Sequence, residues 1–90
     1  MARLGMDVTE VRGIAGNLHG QSGQLNQLMN SIGQSVDRAV NAWDGPDSRR
    51  FHDEWASQHR PALQRLIQEI EKLSETARRN ADQQEQVSNA

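Results

Sequence analysis

Ser48, His52 and Asp53 lie close together in the sequence and are of types that could support nucleophilic catalysis. A hydroxyl nucleophile needs a base within hydrogen-bond distance and a third group that orients the base, all converging on one point. These three residues follow one another along a single helical segment, so their side chains project in different directions. We therefore expect no enzymatic activity, no catalytic residue and no cofactor.

His52, Glu54 and His59 are of types that bind zinc and other transition metals. The two histidines are seven residues apart, which is two full turns of a helix and too far for one ion to reach both. We therefore expect no metal site. His52 should lie at the surface, and His59 should be half-buried beside Pro61.

Charged residues are spread along the second half of the chain, and the formal net charge is −2. The arginines there are Arg49, Arg50, Arg60, Arg65, Arg78 and Arg79. They alternate with acidic residues, which predicts a solvated helix face with ion pairs. A nucleic-acid partner would need a concentrated basic face, and a membrane surface would need clustered bases beside bulky apolar residues. The sequence has neither, so we expect neither partner.

The chain contains no cysteine and no long apolar run. Without cysteine there is no disulfide framework and no thiol chemistry. The first twenty residues lack the apolar segment of a secretory leader. We therefore expect any export to use a route other than the general secretory pathway, and we expect no insertion into a membrane.

Apolar residues recur every three or four positions along the first half of the chain, as they do in a helix. Helices must therefore position the polar side chains described above. The repeat continues for five heptads, which is typical of a helix that packs along a narrow seam. The Asp7-x-x-Glu10 pair resembles a capping box and predicts helix 1 over about residues 8–42. The seam residues, apolar except Ser22, are Val8, Val11, Ala15, Leu18, Ser22, Leu25, Met29, Ile32, Val36, Ala39 and Trp43.

Five glycines lie inside helix 1 and weaken it, because each costs about 1 kcal/mol of helix propensity relative to alanine. A helix of this composition requires packing against a neighbour. Four of them, Gly13, Gly16, Gly20 and Gly23, repeat in helical steps on the face away from the seam. Two interpretations follow: a flexible, exposed first half, or a smooth groove that admits another helix at short distance.

A second helix is predicted over about residues 46–81. Pro46 suits its first position, and Pro61 removes one backbone hydrogen bond, which predicts a kink near Pro61. The polar tail, residues 82–90, is expected to fray. After Phe51, Trp55 and His59 in steps of four, the apolar positions are Leu63, Leu66, Ile70, Leu73 and Ala77, with Ile67 alongside.

The break between the helices, residues 43–46, combines a tryptophan with Gly-Pro. Gly45 can adopt the positive φ that ends the first helix. Trp43 stands at the end of the seam of helix 1, opposite the start of helix 2. We predict a turn cluster in which the buried indole closes the hairpin. Its members are Trp43, Val40, Phe51 and Trp55.

These patterns predict one all-α domain over residues 1–90, an antiparallel helix-turn-helix hairpin. Only 34% of the residues are apolar, and a chain of this length buries a modest core. Two hairpins should therefore share one core as a dimeric four-helix bundle. A homodimer is the commonest symmetry, and a related partner chain is the alternative. The predicted dimer interface is Ile14, Leu28, Val40 and Ile67, and the main seam residues are Leu18, Leu25, Met29, Ile32, Val36, Leu63, Leu66, Ile70 and Leu73.

The turn Trp43-Asp44-Gly45, between two heptad helices in a chain of 90 residues, resembles the WXG family. These are small, early-secreted-antigen-like proteins of type VII (ESX) secretion in Gram-positive bacteria. The resemblance covers nearly the whole chain and implies hairpins that pair antiparallel into four-helix bundles, as homodimers or heterodimers. It also implies export without a signal peptide through a membrane-embedded secretion ATPase complex, either as a substrate or as a chaperone-like adaptor for larger substrates.

The second mark of the WXG family is Tyr-x-x-x-Asp/Glu just after helix 2, which acts with the Trp-x-Gly turn of the partner subunit as a bipartite export signal. This sequence contains no tyrosine. Aligning the tail on Asp82 places Arg78 at the tyrosine position, so Arg78 and Asp82 resemble a degenerate form of the signal. Three alternatives follow: a partner chain supplies the signal, the tail has diverged, or the protein is an interaction module that works inside the cell and is not exported.

Overall fold

The computed structural model of the protein describes the backbone of residues 5–89 and the side chains of residues 5–87. The first helix, α1, spans Val8–Asn41. Its N-cap is Asp7, whose carboxylate accepts the backbone N–H of Glu10 at 3.1 Å. This bond satisfies one of the backbone donors that the start of a helix leaves unpaired.

The chain reverses direction at Gly45, which has φ 121° and ψ 173°. Residues with a Cβ are strained at these backbone angles. The sequence predicted a positive φ at Gly45. The second helix, α2, spans Pro46–Glu54 and has Pro46 at its first position. The Ser48 hydroxyl donates to the Gly45 carbonyl at 2.9 Å and closes the first turn.

A π-helical turn, Trp55–His59, connects α2 to the third helix, α3, Arg60–Asn89. Within it, the Arg60 N–H donates to the carbonyl of Trp55, five residues earlier. The wider turn takes up one extra residue, which suits the steps of four between apolar positions in this segment. The sequence predicted a kink near Pro61, and the structure has this π-helical turn directly before that proline.

The α3 helix continues to Asn89, whereas the sequence predicted that residues 82–90 would fray. The physical reason lies in contacts with α1: Ala81, directly before the tail, is fully buried, and Arg12 donates to both Asp82 and Glu85. Because Arg12 is far from the tail in sequence, nothing in the sequence of the tail itself indicates this contact. The last residue of the predicted tail lies outside the described part of the chain.

The two arms are antiparallel, with α1 packing along α3 and also against α2. The buried positions of α1 are seven residues apart: Ala15, Ser22, Met29 and Val36. The buried positions of α3 are Ser74 and Ala81, and the Ser74 hydroxyl donates to the Ala15 carbonyl at 2.7 Å. Alanine and serine on both sides let the helices approach closely, so this seam is narrow and made largely of small side chains.

The sequence placed Leu66 and Leu73 in this seam, and the structure contradicts that placement. Leu66 is 46% exposed and Leu73 is 58% exposed, whereas Ile67 is half-buried and Ser74 is buried. Ser74 can occupy the seam because a carbonyl of α1 accepts its hydroxyl, so the leucines are displaced to the flank. The other predicted seam residues are buried or half-buried: Leu18, Leu25, Met29, Ile32, Val36, Leu63 and Ile70.

The hairpin is a rod with principal extents of 67 × 19 × 16 Å. Two long antiparallel arms, with no strand in residues 5–89, form the all-α hairpin that the sequence predicted. Within the same residues, no helix combines the length and the apolar character needed to cross a bilayer. A rod that is two helices thick cannot enclose a core, so each arm keeps a side without a neighbour.

Candidate functional site

One broad side of the hairpin is apolar. Successive residues of a helix rotate by about 100° around its axis, so residues one position before a buried seam residue share one flank of α1. Ile14 and Leu28 hold these positions, directly before Ala15 and Met29, and both are exposed. Residues three positions after a buried one share this flank and are half-buried: Leu18, Leu25 and Ile32.

The α3 helix contributes a matching flank. Leu66 and Leu73 directly precede the seam positions Ile67 and Ser74, and Val87, fourteen residues after Leu73, is 72% exposed. Because the helices are antiparallel, equal rotations away from the seam bring the two flanks to the same side. We call this surface the apolar face. Its exposed members are Ile14, Leu28, Leu66, Leu73 and Val87, and its half-buried members are Leu18, Leu25, Ile32, Leu63 and Ile70.

The opposite side of the hairpin carries polar contacts between the arms. Arg12, near the start of α1, donates to Asp82 at 2.8 Å and also to Glu85. The hydrogen bonds to Glu85 and then to Asp82 raise the pKa of Arg12. All three side chains are well exposed, so the bridge adds little stability in water. Its consequence is geometric, because it holds the tail in register with α1.

A second polar contact joins the arms nearer their middle. The buried Ser22 hydroxyl has two acceptors within reach, the His19 carbonyl at 2.7 Å and the Glu71 carboxylate. His19 Nδ1 lies 3.0 Å from one Glu71 oxygen and 3.1 Å from the other. The bonds from Ser22 and then from His19 hold the pKa of Glu71 below its ordinary value. We call this contact and the Arg12 bridge the charged edge; it faces away from the apolar face.

At the elbow, Trp43 and Phe51 form an exposed aromatic pair, which we call the elbow pair. The ring centroids are 5.5 Å apart and the ring planes are inclined by 52°. Trp43 is 43% exposed and Phe51 is 39% exposed. Phe51 follows the buried Ser48 by three positions, the same offset that Leu18 has from Ala15, so it lies on the side of the apolar face.

This elbow differs from the predicted turn cluster in two respects. The sequence predicted a buried indole, but Trp43 is 43% exposed because the elbow is the end of a rod only two helices thick. Val40 lines the groove beside it. Trp55 does not join the cluster; its Nε1 would lie 3.7 Å from a Cβ added at Gly33. Gly33 is ten residues before Trp43, about 15 Å along the helix.

The predicted dimer interface requires a similar correction. Ile14 and Leu28 are exposed and belong to the apolar face. Ile67 instead lies in the seam between the arms, and Val40 is half-buried beside the elbow pair. On α3 the exposed large apolar side chains are Leu66, Leu73 and Val87. Leu66 is rotated by about 100° from Ile67, where the sequence predicted the interface.

Arg78 and Asp82, which resemble the degenerate signal, lie within α3 on the side of the charged edge. Asp82 is bound by Arg12 at 2.8 Å. Arg78 adds a smaller contribution to the lowered pKa of Glu71, after those of Ser22 and His19. The acidic residue of this motif is therefore engaged by its own chain, in a segment that is helical.

The residues considered for catalysis or metal binding are not brought together. Ser48 donates to a backbone carbonyl at the elbow. His52 Nδ1 lies 3.6 Å from Asp53, and His59 Nε2 lies 3.6 Å from Glu54, longer than a hydrogen bond. His59 is exposed, not half-buried as predicted, and His52 is half-buried, not at the surface as predicted. In the described part of the chain, no three His, Asp or Glu side chains are grouped closely enough to hold a metal ion.

The sequence-based predictions named Ser22 and Asp82 of the charged edge, but not Arg12, His19, Glu71 and Glu85. Residues 13–36 contain no Asp, Glu, Lys or Arg, so Arg12 and His19 are conspicuous as the residues of that half of α1 able to pair with acidic groups on α3. That scarcity was the available signal. It could not be used without knowing which side of α3 faces α1, because Glu71 has several acidic neighbours in the sequence.

Comparison with known proteins gave one match. A family model described as WXG100, "Proteins of 100 residues with WXG", matches residues 3–88. The matched range contains both arms, the Trp43-Asp44-Gly45 turn and the whole apolar face. No curated protein and no solved structure matches the chain.

Proposed function

The chain belongs to the WXG100 family, a family of small secreted proteins of type VII secretion, and we propose that it acts in such a system as a helical dimer. In this role it is a secreted substrate or an export adaptor that accompanies a larger substrate. Its partners are a second copy or a related WXG protein, and the membrane-embedded secretion ATPase complex. It leaves the cytoplasm through this complex.

The observation that carries this proposal is the apolar face. Removing such side chains from water stabilises an assembly by about 25 cal/mol for each Å² buried. In this hairpin Leu28, Leu66 and Leu73 are exposed, while the small Ala15, Ser22 and Ser74 are buried in the seam. The hairpin therefore supplies only one side of an apolar core, and a second layer of helices completes it.

A second copy of the chain fits this face. The rod is 67 Å long and 16 to 19 Å wide, which leaves ample room for the ~800 Å² that each partner buries in a stable dimer. On α1 the face lies within residues 13–36, which contain no Asp, Glu, Lys or Arg. Two copies of this arm therefore meet without like-charge repulsion, and four helices enclose the leucines in an antiparallel bundle.

A second candidate function is an interaction module that stays inside the cell. The absence of tyrosine from the sequence and the pairing of Asp82 with Arg12 favour it, because both reduce the likeness of the tail to an export signal. A dimer serves this role equally well. Only a measurement of export separates the two candidates.

The mass of the protein in solution tests the dimer. We expect light scattering to give about twice the 10.1 kDa of one chain. The double variant Leu66→Gln/Leu73→Gln replaces two exposed members of the apolar face and is expected to give the mass of one chain. The matched control is Arg65→Gln/Lys72→Gln, one residue earlier in each case, which should stay dimeric. A parent protein of 10.1 kDa at every concentration would refute the dimer.

Export is tested in a bacterium that has a type VII secretion system. We expect the tagged protein in the culture medium of the parent strain, and in the cells alone when the secretion ATPase is deleted. Retention in the cells of both strains, together with a dimeric mass, would support the intracellular module instead.

A further inference from the structure

A groove lies between the two arms beside the π-helical turn. Its volume is about 390 Å³, within the range of about 300–1,000 Å³ that is typical of small-molecule sites. Side chains from the second half of α1 and from the turn that leads into α3 surround it. The exposed or half-buried residues that line it are Asn30, Gly33, Gln34, Asp37, Trp55 and Arg60.

The groove lies on the side of the charged edge. The buried positions of α1 recur every seven residues, so Gly33, fourteen residues after His19, lies in the same line as His19 along the helix. Asp37 directly follows the buried Val36, whereas the exposed residues of α1 on the apolar face directly precede a buried one. A dimer that forms through the apolar face therefore leaves this groove open to solvent.

Two features leave this space between the arms. On α1, Gly33 has no side chain, and a Cβ added there would lie 3.7 Å from Trp55 Nε1, in ordinary contact. On the other arm, the seam positions Ser74 and Ile67 are seven residues apart, and the next position in this series is Arg60, which is exposed. An exposed arginine leaves the seam open at this level, directly after the wider π-helical turn. Such turns occur frequently at functional sites.

The hydrogen-bonding side chains of the groove have no partner among residues 5–87. Arg60 is a donor only, and an ionised Asp37 is an acceptor only. In that part of the chain neither side chain forms an ion pair, and the indole N–H of Trp55 has no acceptor. The side-chain amides of Asn30 and Gln34 can both donate and accept. The groove therefore offers donors and acceptors side by side to a ligand.

We propose that this groove binds a short saccharide. It holds one positive and one negative side chain, so Asp37 repels an anion and Arg60 repels a cation, whereas a neutral ligand meets neither repulsion. Each hydroxyl of a sugar both donates and accepts a hydrogen bond, which suits the mixture of groups in the groove. The half-buried indole of Trp55 supplies an apolar surface for the C–H groups of the sugar and a further N–H donor. This site goes beyond the proposed function, because it requires neither the dimer nor export.

The indole signals in the nuclear magnetic resonance spectrum of the full chain test this proposal. The chain has two tryptophans, so a ¹H–¹⁵N spectrum contains two indole N–H signals, and Trp55→Phe identifies the signal of Trp55. We expect maltotriose or tri-N-acetylchitotriose at millimolar concentration to shift this signal saturably, and the signal of Trp43 to stay in place. A saturable shift with glucose as well would identify a single ring as the ligand, and shifts with the trisaccharides alone would identify a chain.

Filling the groove tests its location. Gly33→Leu places a side chain in it, and Gly20→Leu, the matched control, adds the same side chain to an open part of α1. Leucine favours a helix more than glycine does, so both variants are expected to fold, which circular dichroism checks. Gly33→Leu is expected to abolish the shift, and Gly20→Leu is expected to retain it. Equal binding by the two variants would overturn the groove as the site.

Arg60 is tested as a direct contact of the saccharide. Arg60→Gln is expected to weaken binding by about tenfold, because a hydrogen bond from a charged donor is lost. The control is Arg65→Gln, which changes an exposed arginine of α3 that does not line the groove, and it should bind as the parent protein does. Unchanged affinity of Arg60→Gln would contradict its place in the site.

Two further probes separate a saccharide from ligands of other chemistry. Glycine is a zwitterion whose charges match both Arg60 and Asp37, and inorganic phosphate is an anion. A saturable shift of the Trp55 signal with either of them and with no saccharide overturns the proposal, as does the absence of any shift. A monomeric mass would refute the proposed dimer and leave this result unaffected, because the groove lies outside the apolar face.

Discussion

At the scale of single residues, Gly45 decides where the chain turns. Its φ of 121° and ψ of 173° lie in a region that is strained for any residue with a Cβ. A Cβ added there would meet no atom within 4 Å, so the cost of a side chain comes from the backbone alone. Gly16, inside α1, is equally open but has helical backbone angles, so nothing at that position requires glycine.

Gly45→Ala is therefore expected to lower the free energy of unfolding by about 1–3 kcal/mol. Gly16→Ala is the matched control and is expected to raise it by up to about 1 kcal/mol, because alanine has the higher helix propensity. Denaturation followed by circular dichroism measures both. Similar effects of the two substitutions would contradict the special role of the turn.

Glu71 links the stability of the hairpin to pH. Hydrogen bonds from Ser22 and from His19 lower its pKa in the folded chain below the ordinary value of 4.5. A carboxyl group whose pKa is lowered by folding contributes its full stabilisation above the unfolded pKa. That contribution is lost as the pH falls through the lower pKa of the folded state. The contact between the arms therefore weakens in acid.

Glu71→Gln is expected to remove this part of the acid sensitivity. Urea denaturation between about pH 7 and pH 3 should show a smaller loss of stability for this variant than for the parent protein. Glu75→Gln, which changes an exposed carboxylate one turn later on α3, should lose stability as the parent does. Parallel acid curves for Glu71→Gln and the parent protein would show that the contact does not stabilise the hairpin.

At the scale of the helices, the sequence predicted the two arms but not the side of α3 that faces α1. Heptad patterns select the largest apolar residues, and so they selected Leu66 and Leu73. The structure places Ile67 and Ser74 there, a rotation of about 100°. A small side chain lets the helices approach, and its hydroxyl reaches the Ala15 carbonyl. A pattern of apolar and polar residues contains no information about either effect.

Ser74→Leu tests this rotation of α3. A leucine at a closely packed seam position is expected to lower the free energy of unfolding by about 1–3 kcal/mol through overpacking. Thr76→Leu, at an exposed position two residues later, is the control and should change it by less than about 0.5 kcal/mol. If Ser74→Leu were as stable as the parent protein, the seam would have the register that the heptads predicted.

The outer side of α1 carries four exposed glycines, Gly13, Gly16, Gly20 and Gly23. A Cβ added at any of them would meet no atom within 4 Å. Changing all four to alanine is expected to raise the free energy of unfolding by about 3–4 kcal/mol, because each gains helix propensity. Light scattering should show an unchanged mass. A folded variant that lost its partner would favour the alternative interpretation, a groove into which another helix packs.

At the scale of the whole molecule, local patterns were sufficient for the fold class and contacts distant in sequence decided the rest. Two long helices and a turn at Gly45 follow from apolar spacing, a capping residue and a glycine. The tail differs from its prediction because it lies along α1: Ala81 is buried there, and Arg12 donates to Asp82 from 70 residues away. Trp43 was predicted to be buried, but its indole is exposed because no third layer of helices covers the elbow. Both differences depend on what lies beside a helix, which its own sequence does not contain.

A hairpin with half a core should have a stability that depends on its own concentration. If two copies share one core, association and folding are linked by mass action, and the midpoint of thermal unfolding rises with protein concentration. We expect such a rise over about a hundredfold range of concentration. Leu66→Gln/Leu73→Gln should unfold at a lower temperature that does not vary with concentration, and the control Arg65→Gln/Lys72→Gln should behave as the parent does. A parent midpoint that stayed constant over this range would mean that the hairpin folds alone, with its leucines in water.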